Sequence, residues 1–197
     1  MSTADRLTMP LGEAIFSLRA IRRLKPDPIP DADLRDILEA AIRAPNGGNT
    51  QPWHFVVVKD AAMRAQLGTL YHEAWWAKRR DSGIHGPEDL PRHYQPAMRL
   101  ADEFGQVPVM ILVCATSKGS GAAGSVIPAV QNLLLAARAL GKGCLFALDS
   151  DAHSGDELLY SEFALAHARP RARRERCCSA RGRRGRRRRT HPAGPLR

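Results

Sequence analysis

The sequence predicts one domain that mixes helices with a small β-sheet. Three observations carry this. Apolar residues recur at three- and four-residue spacing in several long stretches, the helical period. Three short apolar runs, residues 55–58, 107–116 and 144–148, have strand length. Glycine and proline separate the two kinds of pattern. With 197 residues, 44% hydrophobic and 25% charged, the chain is long enough and ordinary enough for one sizeable soluble core.

The elements follow in order. Residues 11–18 form a short helix, followed by the basic cluster Arg19, Arg22, Arg23 and Lys25. Pro26, Pro28 and Pro30 stiffen a connector that cannot stay helical. Asp31 caps the next helix, whose face carries Leu34, Ile37, Leu38, Ala41 and Ile42, and Pro45 ends it. The loop Asn46-Gly47-Gly48-Asn49-Thr50 leads through Gln51-Pro52-Trp53 into the first strand. Residues 61–70 return to helix, and 71–80, with Trp75 and Trp76, continue it or start another. Residues 81–91 contain Gly83, Gly86, Pro87 and Pro91 and form a mobile-loop candidate. A helix at 94–104, a strand at 107–116 and a glycine-rich loop at 117–124 come next. The apolar helix at 125–140, with Leu133, Leu134, Ala137 and Leu140 as core positions, breaks at Gly141 and Gly143 before the last strand. Beyond residue 150 the pattern decays.

The formal net charge of +10 divides unevenly. Residues 168–197 hold 13 Arg against one acid, Glu175; residues 1–167 carry 17 basic and 19 acidic groups, a net charge of −2. Two regions follow, a near-neutral body at 1–167 and an Arg-rich tail at 168–197. The tail has one large aliphatic residue, Leu196, and cannot bury a core. No apolar run approaches the roughly 20 residues of a membrane span. The N-terminus lacks a secretory pattern, so a cytoplasmic protein is expected. Cys114 and Cys144 sit in apolar runs and read as core residues of a reducing compartment. Cys177 and Cys178 are adjacent in the tail without a second pair, so no metal site is expected.

Two constellations suit a nucleotide. Gly119-Ser120-Gly121-Ala122-Ala123-Gly124 matches the dinucleotide fingerprint in letters and lies between a strand and a helix, the Rossmann arrangement for an NAD enzyme. Against it, Thr116-Ser117-Lys118 separates strand from glycines, and Asp149 lies 25 residues beyond Gly124. The second constellation joins Arg19 and Arg22, guanidinium forks suited to a phosphate, to the amide- and glycine-rich loop at Asn46–Asn49. There, backbone N–H groups can approach a flat heterocycle.

The second constellation belongs to a wider pattern. Arg19-Ala20-Ile21-Arg22-Arg23-Leu24, Pro28-Ile29-Pro30, the block from Ala44-Pro45-Asn46-Gly47 through Gln51-Pro52-Trp53 to Val58, and Ser125-Val126-Ile127-Pro128-Ala129-Val130-Gln131-Asn132 together resemble the nitroreductase family over about residues 11–150. The resemblance implies an α+β fold, a mainly antiparallel sheet flanked by helices, in an intertwined homodimer with FMN at the subunit interface. It implies that NADH or NADPH reduces the flavin and that an oxidised acceptor, nitroaromatic or quinone-like, then enters the same cleft. Arg19, Ala20 and Arg22 fall where the family holds the FMN phosphate and ribityl chain; Ala20 stands where Ser or Thr is common. Pro45, Asn46, Gly47 and Asn49 fall along the flavin edge, Asn46 where Ser is frequent. Ser125 falls where the partner subunit approaches the flavin. Gln51 and Trp53 fix the loop and the core. Residues 71–104, with Trp75, Trp76, Arg79 and Tyr94, shape the acceptor side. No nucleophilic residue is required, because the flavin carries the chemistry.

The family's second basic pair and its C-terminal crossing segment have no counterpart after Ser150. Arg, Ala, Gly and Pro, all with GC-rich codons, supply 23 of the last 30 residues. The tail reads as an out-of-frame translation of a GC-rich gene or as a genuine arm that would bind nucleic acid nonspecifically.

Overall fold

In the computed structural model the protein is described for residues 2–117, 120–148 and 160–167, with backbone alone for 146–148 and 160–167. Six helices and four strands run in the order α1 (Thr3–Arg6), α2 (Leu11–Ser17), α3 (Asp31–Ile42), β1 (Trp53–Val58), α4 (Ala61–Arg80), α5 (Gln95–Glu103), β2 (Val109–Ala115), α6 (Ser120–Ala139), β3 (Lys142–Leu148) and β4 (Tyr160–His167). Every ladder is antiparallel, and the sheet order is β1-β2-β4-β3. The α+β expectation with a mainly antiparallel sheet is what the chain adopts.

Period-2 alternation sends successive β2 residues to opposite faces. Val109, Ile111, Val113 and Ala115 point into a layer made by α3 and α6, where Ile37 and Leu133 are fully buried. Met110 and, in part, Leu112 face a second layer with Val58, Leu100 and Phe104. There the Phe104 ring stacks on Tyr71, with centroids 4.2 Å apart. A third cluster, Trp75, Leu90 and Ala101, ties the distal half of α4 to α5.

One open alternative is settled and two expectations change. Residues 61–80 form one helix, its start capped by the Asp60 carboxylate, which accepts from the Met63 N–H at 2.8 Å. From Ser120 onward the glycine-rich stretch is helix, not loop. α6 begins at Ser120 and takes Gly121 and Gly124 into its first turns, where Ala122, Ser125 and Val126 are buried. The strands β2 and β3 on either side of α6 run parallel to each other, but antiparallel β4 lies between them, so they are not the adjacent parallel pair of a Rossmann sheet and the Rossmann reading fails. Finally, β4 lies beyond the point where the sequence pattern decays, yet it occupies the sheet interior. Among the described residues α6 is long and apolar enough to span a membrane by length and composition. Its packing against the sheet and α3 makes it the core helix.

A charged cluster anchors the N-terminus. The Arg6 guanidinium pairs with both Asp33 and Asp36 on α3, and Lys142 Nζ lies 2.7 Å from Asp33 Oδ2. Thr3 Oγ1 donates to Asp36 at 2.8 Å. Burial alone would raise the Asp33 pKa, but hydrogen bonds from Lys142 and Arg6, with their charges, hold it below the ordinary carboxylate value. A depressed native value stabilises the fold above the unfolded pKa of about 3.9, and that contribution is lost as pH falls through the native value. Asp33→Asn should therefore cost about 3–5 kcal/mol at neutral pH, the range for breaking a buried pair. Its thermal midpoint, followed by circular dichroism, should fall less steeply below about pH 4 than that of the parent.

Helix α4 crosses the turn at Phe104–Gln106 through two glycines. A Cβ on Gly68 would lie 2.6 Å from the Gly105 backbone. Alanine gains about 1 kcal/mol of helix propensity, but here it meets backbone that cannot swing away. Gly68→Ala should destabilise by about 1–3 kcal/mol net. Gly124→Ala, with no described atom within 4 Å, should be neutral or stabilising; denaturant midpoints distinguish the two.

Candidate functional site

The loop between α3 and β1 is the most constrained backbone described. Gly48, Asn49 and Gln51 all have left-handed φ values of 59°, 53° and 47°. Glycine takes this conformation freely and asparagine with little penalty, whereas glutamine is disfavoured there. Side chains hold the shape. Asn46 Oδ1 accepts from the Gln51 N–H at 2.8 Å, and Asn46 Nδ2 donates to the Ala44 carbonyl at 3.3 Å. Thr50 Oγ1 donates to the Gly47 carbonyl at 3.0 Å, and Gln51 Nε2 to Asn49 Oδ1 at 3.3 Å. Trp53 is buried in the main core, fixing where the loop enters β1.

Helix α6 supports the loop from beneath. The Gly47 N–H donates to Ser125 Oγ at 3.2 Å, and that hydroxyl donates to the Gly121 carbonyl at 3.1 Å. Ser125 is buried and joined to the loop of its own chain. The Asn46 amide is likewise used at both ends within the loop. What the loop turns outward is Pro45, the backbone at Gly47 and Gly48, and Asn49, all exposed.

The basic segment lies elsewhere. Helix α2 ends at Ser17, and Arg19 to Arg22 run extended beside the outer edge of β3. Ala20 bridges Cys144, whose carbonyl accepts from the Ile21 N–H at 3.0 Å. Arg19 and Arg22 are exposed, and no described carboxylate lies within ion-pair distance of either. Arg22 flanks a small cleft with Glu103 and Gln106.

The register measures the distance between these two parts. Trp53 pairs with Ala115 at one end of the sheet, while Cys144 pairs with Leu165, which pairs with Val109 at the other. Six residues along the strands are about 20 Å, and crossing from β1 to the segment beyond β3 adds about 19 Å. One chain thus does not present both parts to one mononucleotide. The donor set itself fits FMN: two exposed guanidinium groups with no described carboxylate partner, Arg19 giving one N–H to the Leu18 carbonyl at 2.5 Å, for a phosphate, and an outward-facing amide and glycine backbone for a planar ring.

The distal half of α4 and the start of α5 carry the aromatic residues expected on the acceptor side. The Arg79 guanidinium carbon lies 4.2 Å from the Trp75 ring centroid and 5.3 Å from that of Tyr94. Trp75 and Trp76 meet edge to face at 5.1 Å. Cys114 and Cys144 are not used. Burial raises both thiols, Cys144 to about 12; Cys144 is buried in the main core, whereas Cys114 is half-buried. Cys177, Cys178 and the whole Arg-rich tail lie outside the described residues, as do Gly119 and Asp149.

Comparison with known proteins bears on the whole arrangement. The model of the "Nitroreductase family" matches residues 15–162, twelve residues past the limit read from motifs. A Thermus thermophilus protein named "NADH dehydrogenase" is 52% identical over 54 residues, covering 27% of this chain and 26% of the relative. An Archaeoglobus fulgidus protein named "Putative NADH dehydrogenase/NAD(P)H nitroreductase" is 30% identical over 141 residues, 67% of this chain and 63% of the relative. The chain thus spans less than two thirds of these curated relatives. The crystal structure of oxidised iodotyrosine deiodinase bound to FMN and 3-iodo-L-tyrosine superposes with a TM-score of 0.66 at 22% identity, over 83% of this chain and 96% of that one. The family match spans both the basic segment and the strained loop, and on that match this chain belongs to the nitroreductase family of oxidoreductases.

Proposed function

We propose that this chain is an FMN-dependent oxidoreductase that draws on NADH or NADPH and reduces a flat acceptor, such as a nitroaromatic or a quinone, as a homodimer. The observation that carries the reading is the family match over a segment holding both Arg19/Arg22 and the Pro45–Gln51 loop. Bound FMN would supply the hydride chemistry. The residues of this chain supply binding, orientation and access. Arg19 and Arg22 offer two fixed positive charges and planar donor forks to the phosphate. The Ala20 position contributes backbone but no hydroxyl. Gly47 and Gly48 let a ring approach the backbone, and Asn49 offers an amide at its edge.

Because the two parts lie at opposite ends and edges of the sheet, a second copy must bring its loop to the first copy's basic segment. The surface supports a second copy. Phe16 is 82% exposed and Leu11 68% exposed on α2. Beside them a groove of about 560 Å³ runs between α1, α2 and α6, lined by Leu7, Ala14, Leu135, Ala136 and Ala139. Apolar anchors next to an apolar groove make a self-complementary patch, the requirement of a two-fold interface.

The visible absorption spectrum of the purified chain should show a flavin band, with the pigment released on denaturation; a colourless protein would refute the reading. Replacing Arg19 and Arg22 together by Gln should lower FMN affinity at least tenfold, since each charged contact to a phosphate is worth about 1.5–3 kcal/mol. Phe16→Glu should shift the chain to monomer in analytical ultracentrifugation and remove bound FMN with it. Co-expressing the R19Q/R22Q chain with an Asn49→Leu chain should restore flavin in about half the sites of the heterodimer, because each mixed dimer rebuilds one intact site.

A further inference from the structure

We propose that Arg79 takes the carboxylate of a flat aromatic compound whose ring lies against Trp76 and Tyr94. That this compound is the acceptor rests on the oxidoreductase reading above. Arg79 is half-buried near the end of α4, packed over the faces of Trp75 and Tyr94. Ring faces hold a guanidinium in orientation and strip water from its flat sides. Its N–H donors lie in its own plane, a fork that matches a carboxylate. One of them, on Nη1, makes a long 3.4 Å contact with the Trp75 carbonyl. No described carboxylate lies within ion-pair distance of the group.

Other half-buried arginines are answered within the chain, Arg138 by the Ser17 hydroxyl, to which its Nε donates at 2.9 Å. Arg6 is neutralised by Asp33 and Asp36, and Arg64 donates to the Val107 and Lys59 carbonyls. An apolar side chain would clasp Trp75 to Tyr94 as well as Arg79 does, without partly burying a charge. A cation oriented by aromatic faces, with its donor edge open, is arranged to take a planar carboxylate through two parallel hydrogen bonds. The neighbouring π-surfaces, Trp76 half-buried and Tyr94 36% exposed, are suited to the ring that bears it. The buried residues of this cluster are distinct from those of the two main cores, with Tyr71 packed both against it and against the second.

Intrinsic tryptophan fluorescence of the full chain, titrated with 4-nitrobenzoate and with its neutral counterpart 4-nitrobenzamide, tests this without turnover. The carboxylate should bind about tenfold more tightly, one charge-assisted pair. Arg79→Gln should bring the two affinities together while leaving that of the amide within twofold. The same ratio should appear in the KM values for NAD(P)H-dependent reduction. Arg79→Lys, which keeps the charge but loses the fork, should retain only part of the preference and covers the case in which the Gln variant fails to fold by circular dichroism. Equal binding of the two compounds by the parent chain, or an undiminished preference in either folded variant, overturns the proposal. Failure of the oxidoreductase reading looks different: no NAD(P)H oxidation with either compound or with a neutral quinone, while the fluorescence preference and its loss in the variants remain.

Discussion

The β2 and β3 strands never touch; β4 hydrogen-bonds to β2 along one edge and to β3 along the other. Both ladders depend on this one strand. Without it, β1 and β2 would be a two-stranded ribbon, a unit marginal on its own. The strand β3 would then lose its place, and with it the extended segment that docks at Ala20 on its outer edge. The position of Arg19 and Arg22 is therefore set by backbone pairing between strands distant in sequence. Sheet width then becomes a functional quantity. It holds Arg19 and Arg22 apart from the Asn46–Asn49 loop within one chain.

A second dependence runs through α6. This helix packs under the sheet with α3, and its buried Ser125 reaches up to the Gly47 N–H. Three left-handed residues in one short loop cost free energy, of order 1–3 kcal/mol each for the non-glycine ones. That conformation persists because Asn46, Thr50, Gln51 and Ser125 determine it from several sides. The outward face of the loop is thus fixed in advance, and a ring placed against it meets donors that need little rearrangement.

Much of this was legible in the sequence. The face of α3, the apolar β2 run and the Asn46–Gln51 punctuation each express a local period or turn chemistry. The Arg19–Leu24 and Pro45–Trp53 motifs could be paired through a family resemblance, but their separation could not, because strand order is not a local property. The strand β4 escaped because its eight residues follow a stretch without clear period. Gly119 to Gly124 suggested a loop on composition. Tertiary burial of Ala122, Ser125 and Val126 outweighs the cost of glycine near a helix start. Ile42 was placed on the core face of α3 by spacing, yet it is 43% exposed, as the face turns out of the core at the helix end. The Arg6–Asp33–Lys142 cluster joins three distant segments of sequence and leaves no pattern that spacing can detect.

The bond from Gly47 to Ser125 also bears on how the protein ages. Asn46 is followed directly by Gly47, the dipeptide in which an asparagine amide is most readily lost by attack of the next backbone nitrogen on its side-chain carbonyl. Here that nitrogen donates to the Ser125 hydroxyl, and the Asn46 oxygen is held by the Gln51 N–H. Both partners of the attack are engaged elsewhere, so the fold shields a chemically fragile pair in the loop where a new negative charge would do most harm. Such an aspartate would meet the Gln51 N–H with one oxygen and lose the Asn46 donor to the Ala44 carbonyl. Storage lifetime and loop geometry are, in this chain, the same property.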